Sequence, residues 1–194
     1  LFAFRGLTLL WAIGLVLVGQ VRRATGHRRR ARIRLAVGVC GLIGLTYLLA
    51  VPLGIQQSHR SLASALGARS DVGRFEIHYD AETLEMEALR RIEDELLYRY
   101  HQLEASLGIE PSQPIRVYLY PDADTKGRLI GSRETSVVPV WLATPQVHML
   151  VDRVDRSAAH ELVHVFAREF GLPGLRASPA VGLVEGLAVA LEPP

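Results

Sequence analysis

The sequence predicts an α+β domain of helices and a mixed sheet, preceded by N-terminal transmembrane helices. Three observations carry this reading. Apolar residues alternate in short strand-like runs beside long segments of helical period, a motif with two histidines four positions apart lies on one of those segments, and two apolar stretches free of charge occupy the first 55 residues. The 194 residues hold 22 basic and 20 acidic side chains. That balance hides a split, since residues 1–55 contain eight arginines and no acidic residue, while residues 56–194 contain 14 basic and 20 acidic ones.

The membrane reading rests on length. Leu35–Ile55 is a run of 21 uncharged residues, long enough at about 1.5 Å per residue to cross a hydrocarbon core of about 30 Å. Gly6–Val21 is shorter, and spans if Leu1–Arg5 continue it with Arg5 reaching to the interface. Two spans are therefore expected, at about 1–21 and 35–55, rather than a signal peptide, because no small-residue cleavage site follows an apolar core of the right size. The intervening Val21–Arg34 carries seven arginines in fourteen positions. By the positive-inside rule this loop stays cytoplasmic, which predicts a multi-pass cell-membrane protein with the lipid bilayer as partner and everything after residue 55 extracytoplasmic. A basic loop between two apolar runs is a topology signal, and no nucleic-acid partner is expected. Cys40 is the lone cysteine, which excludes an intrachain disulfide framework or a cysteine zinc site. Lys126 is the single lysine, against 21 arginines, and reads as coding bias.

Residues 56–73 read as a juxtamembrane linker or short helix, and 74–194 as the folded domain. Phe75, Ile77 and Tyr79 alternate with polar neighbours as a strand does. A long helix follows, capped by Asp80, lined by Leu84, Leu89, Ile92, Leu96, Leu103 and Leu107, and ended by Gly108 and Pro111. Ile115, Val117 and Leu119 form a second strand before the turn-like Pro121-Asp122-Ala123-Asp124. Val137–Leu142 and Val147–Val151 make two more, joined through Thr144-Pro145. Ser157 then caps a helix with an apolar stripe of Ala159, Leu162, Val163, Phe166 and Phe170, stopped by Gly171. A last helix has Ser178 as N-cap and Pro179 at its first position.

His160-Glu161-Leu162-Val163-His164 lies on the helix opened by Ser157. Imidazoles four positions apart on a helix share a face and can grip one metal ion, with the glutamate between them placed as general base for a water molecule. From this chain's own composition the pattern arises by chance at about 2%. A catalytic Zn2+ takes three protein ligands and leaves a position for water, and Glu185, 21 positions after His164 on the last helix, is the best third candidate. His148 reads as a strand histidine, not a ligand.

With Glu185-Gly186-Leu187-Ala188 following the HExxH helix, the chain resembles the gluzincin zinc metallopeptidases, peptidase MA-like families, over about half its length. The resemblance implies a gluzincin-like lobe, with His160, His164 and Glu185 as zinc ligands and Glu161 as catalytic base acting on peptide or protein substrates. It also implies that the strand around Trp141, Leu142 and Ala143 lines the substrate cleft, where free backbone groups pair with an extended peptide. The chain departs from the family pattern in having no tyrosine after Tyr120 and no histidine after His164 to stabilise an oxyanion. It has no carboxylate four positions after Glu185 either, and it is read as a fragment truncated at its C-terminus. The expected function is thus a membrane-anchored zinc metallopeptidase. The alternative is a non-catalytic zinc-binding regulatory or binding module of a membrane protein, which keeps the metal site without a working cleft.

Overall fold

The computed structural model describes residues 12–14, 16, 19, 26–48, 57–139, 144–171 and 180–192. It divides into two compact units, Leu1–Ser58 and His59–Pro194. The first unit contains helix α1, Gly26–Leu48, whose Val39 and Ile43 side chains pack beside Gly14.

The expected transmembrane helices are not found. Among the described residues no helix is long and apolar enough to cross a membrane. The reason lies in where α1 begins. Its first nine residues include Arg28, Arg29, Arg30, Arg32 and Arg34, so its charge-free part is only Leu35–Leu48. Fourteen residues rise about 21 Å, well short of a core of about 30 Å. The remainder of the expected second span, residues 49–55, and most of the first lie outside the described residues. The multi-pass topology rested on those two spans.

The second unit is an α+β fold built on a four-stranded mixed sheet. The strands are β1 (Gly67–Val72), β2 (Phe75–Asp80), β3 (Ile115–Tyr120) and β4 (Gln146–Leu150), in that spatial order. β1 pairs antiparallel with β2, while β2, β3 and β4 run parallel, with Ile77 opposite Val117 and Val117 opposite Val147. The parallel connections carry helices: α3 (Met86–Leu107) between β2 and β3, and α4 (Ala123–Ile130) between β3 and β4. Before the sheet comes α2 (His59–Leu66), and after it α5 (Val154–Ala167) and α6 (Val181–Ala190).

The strand period of two sorts side chains onto two faces. Phe75, Ile77, Ile115, Val117, Leu119, Val147 and Met149 face a core closed by Leu89, Leu96 and Leu103 of α3 and Leu162, Val165 and Phe166 of α5. The other face bears Glu76, His78, Tyr118, Tyr120, His148 and Leu150, and α2 covers part of it through Leu62 and Leu66. β1 falls where a linker or short helix was expected. Its sequence, Gly-Ala-Arg-Ser-Asp-Val, has no apolar alternation, and the strand exists through pairing with β2 across the turn at Gly73. Gly73 has φ 54°, a left-handed conformation that favours glycine, and a Cβ there would also push the end of the Leu97 side chain, 2.8 Å away, aside.

Several boundaries move. α3 starts at Met86 rather than after Asp80, because the Asp80 carboxylate accepts the Glu82 N–H at 2.9 Å and its carbonyl accepts the Leu84 N–H at 3.0 Å, making a separate turn. Its end is as expected: Gly108, at φ 64°, returns its N–H to the Glu104 carbonyl. Asp122, expected in a turn, caps α4 by accepting the Thr125 N–H at 2.7 Å. Of the strand expected at Val137–Leu142, residues 140–142 lie outside the described residues, and among the described ones Val137 alone forms a β-bridge, antiparallel with His148.

Candidate metal centre

α5 enters from a short 3-10 turn, Val151–Arg153, so its first residue is Val154 and Ser157 is inside the first turn rather than at the cap. Asp155 there complements the helix dipole. Ala158, Leu162, Val165 and Phe166 are buried in the core and fix the helix's rotation. The histidines are thereby turned toward α6, their rings 5.0 Å apart at 63°. α6 is flanked at its start by Ala180, and the expected cap residues Ser178 and Pro179 lie outside the described residues. Ala188 is its buried anchor against the core, and Glu185 projects back to α5.

The three side chains predicted as ligands meet. His160 Nε2 lies 3.5 Å from Glu185 Oε2 and His164 Nε2 lies 3.7 Å from the other oxygen, Oε1, while one donor atom from each of the three residues falls within 4.8 Å of the others. A tetrahedral ion with bonds of 2.0–2.1 Å sets its donors about 3.4 Å apart, so the described separations fit such an ion. This group could hold a metal ion, and the described residues contain one other such group, His59, Glu76 and His78, on the sheet's opposite face.

Tautomers follow from the partners. His160 Nδ1 donates to Glu192 Oε1 at 2.6 Å. A carboxylate only accepts, which puts a proton on Nδ1 and makes Nε2, on the Glu185 side, the nitrogen that could ligate a metal. Burial lowers the His164 pKa, with Glu185 opposing the shift, and this favours the neutral, ligating imidazole.

Glu161 is buried, 9% exposed. Burial pushes its carboxyl up to about 7, nearby Glu185 adds to the rise, and His160 and Lys126 oppose it. A carboxyl held near neutrality can both take and return a proton, which is the requirement for a general base that later acts as acid.

Two residues that sequence reasoning missed belong to this surrounding. Glu192 stands seven positions after Glu185, two residues past the end of α6, rather than at the position four after Glu185. Lys126, dismissed as a trace of coding bias, is fully buried, with its Nζ donating to the Thr135 carbonyl and its charge bearing on Glu161 and His148. Burial pulls its own pKa down. Its isolation in the composition was the one available signal. His148 sits in β4, its Nδ1 2.8 Å from the Tyr120 hydroxyl and its ring stacked on Tyr118 at 4.7 Å, outside both metal-binding groups. Trp141, Leu142 and Ala143, expected to line a substrate cleft, lie outside the described residues.

No known protein family, curated protein or solved structure matches this chain.

Glu192 gives a direct test of the ligand geometry. Glu192→Ala should weaken metal binding about 10–100-fold, the usual cost of removing the group that orients a ligating histidine. Titration of the metal-free protein measures it, and an unchanged affinity would show that the His160 tautomer does not depend on Glu192.

Proposed function

We propose that this chain is a zinc-dependent metallopeptidase of the gluzincin type, with His160, His164 and Glu185 as ligands and Glu161 as general base. The observation that supports it is the convergence of two helices on one point, with donor separations of 3.5 and 3.7 Å beside a buried carboxyl held near neutrality. When bound, Zn2+ supplies a Lewis acid that polarises the scissile carbonyl and makes water acidic enough to lose a proton near pH 7. The chain's own residues do the rest. Glu192 orients His160, the burial that raises the Glu161 pKa sets its proton affinity, and Glu161 takes the proton from the attacking water and passes it to the leaving amine. The substrates are peptides or proteins.

Zinc content and peptide hydrolysis should be measured together. Wild-type chain should cleave a peptide library only with Zn2+ present, and His160→Ala, His164→Ala and Glu185→Ala should each lose the one equivalent of zinc held at this centre together with cleavage. Loss of a ligand should cost more than about 100-fold in affinity, beyond the 10–100-fold of an orienting partner. Zinc bound through these residues without hydrolysis of any peptide would favour a non-catalytic zinc-binding module. Equal zinc in all variants would overturn the ligand assignment.

A further inference from the structure

The sheet's polar face carries a side-chain cluster that the peptidase reading does not use. Glu76 and His78 are two apart on β2 and therefore share that face, and His59 descends on them from the first position of α2. His78 Nε2 donates to Glu76 Oε1 at 2.9 Å, a proton that a bound ion would displace, and His59 Nε2 lies 3.6 Å from the same oxygen. The three donor atoms fall within 4.8 Å of one another, the same span as at the first group. From these distances we propose that His59, Glu76 and His78 form a second binding site for a divalent transition-metal ion, independent of His160, His164 and Glu185.

The surroundings prepare the ligand atoms. Tyr118 OH lies 2.8 Å from His59 Nδ1, which turns the ring so that Nε2 faces Glu76. A hydroxyl both donates and accepts, so it fits His59 whether Nε2 carries a proton or binds a metal. The Tyr118 ring also stacks on His78 at 5.2 Å, and His59 meets the His78 ring edge-on at 5.1 Å. These contacts hold both imidazoles in place before an ion arrives, the arrangement by which outer partners raise metal affinity. Side-chain exposure falls from 30% at His59 to 16% at Glu76 and 4% at His78, so an ion would enter past His59 and keep its open positions toward that side. Two imidazoles with one carboxylate suit Zn2+, Ni2+ or Cu2+ over Mg2+ or Ca2+.

Charge ranks the two sites. Arg116 Nε lies 3.4 Å from Glu76 Oε2, and Arg69 Nη1 lies 3.6 Å from Oε1. Both guanidiniums repel a cation, although the fork of Arg69 is also engaged by Asp71 at 2.8–3.0 Å. At the first group the nearby charges include the carboxylates of Glu185 and Glu192. The second site is accordingly the weaker one. Its consequence is mechanical, since an ion there would staple α2 to β2 and bind only with α2 docked.

The experiment is a Zn2+ titration of the full 194-residue chain after chelation, with bound metal counted by mass spectrometry under native conditions and folding followed by circular dichroism. Wild type should bind two equivalents, with affinities at least tenfold apart. His59→Ala, at a partly exposed helix start, should bind one, the tighter. Glu76→Gln, which keeps the side-chain volume, should do the same and guards against a folding artefact in the first variant. The double variant His160→Ala with His164→Ala should keep one equivalent, the weaker. Two equivalents retained in folded His59→Ala and Glu76→Gln would overturn the second site, as would no zinc in the folded double variant. Failure of the peptidase centre reads out separately, as a double variant that binds as much zinc as wild type.

Discussion

Glu161→Gln should reduce peptide hydrolysis by about a hundredfold to ten-thousandfold while zinc stays bound. The amide matches the carboxyl in shape and fits the same buried place, but it cannot accept a proton from water. General acid–base catalysis contributes about 10²–10⁴ in rate, equivalent to about 3–5 kcal/mol of barrier. The proposed ligand atoms all belong to other residues, so zinc content measured beside kcat/KM separates the two roles. Activity within a few-fold of wild type would place the base elsewhere. Loss of zinc along with activity would mean that Glu161 serves the fold or the ligands rather than proton transfer.

The same substitution should change how the metal-free protein responds to pH. Burial raises the Glu161 pKa from 4.5 to about 7. Between those values the folded chain holds a proton that the unfolded chain has lost. The contribution to stability is therefore fully present below about pH 4.5 and is lost as pH rises through 7. At about 1.4 kcal/mol per unit, the wild type should lose on the order of 3 kcal/mol more than Glu161→Gln between pH 4.5 and 8. Denaturant unfolding of both proteins in chelator, at matched pH values, measures the difference. Parallel stability profiles would show that the carboxyl is not held protonated by burial. Added zinc should shrink the gap, because a cation nearby favours the ionised carboxylate.

What the sequence made legible was local and periodic. β2 and β3 could be read because their odd-numbered residues all face one core, and the ligand helix because 3.6-residue spacing puts residues 160 and 164 on one side whatever surrounds them. β1 could not be read, since its polar residues become a strand only beside β2. Asp80 and Asp122 show why boundaries slipped: the same short carboxylate closes a turn in one place and caps a helix in the other, and the choice depends on which N–H comes within reach. The apolar count over 35–55 missed that helical structure starts among the arginines, so the helix mixes charge with apolar surface. Glu192 and the His59–Glu76–His78 group arise from contacts over 32 and up to 19 positions respectively, which no single-segment pattern carries.

Lys126 has a practical consequence. It is the chain's only lysine, and its amine is enclosed against the Thr135 carbonyl with no solvent exposure. Acylating reagents, aldehydes and amine-directed crosslinkers therefore have no lysine to modify while the domain is closed. Local opening that frees Lys126 from the Thr135 carbonyl adds one reactive side-chain amine at a known position, distinguishable by peptide mapping from the α-amino group. Covalent tagging at Lys126 therefore marks, as a single permanent mass increment per molecule, the fraction of the protein that has opened there, and its rate reports local breathing beside the candidate centre.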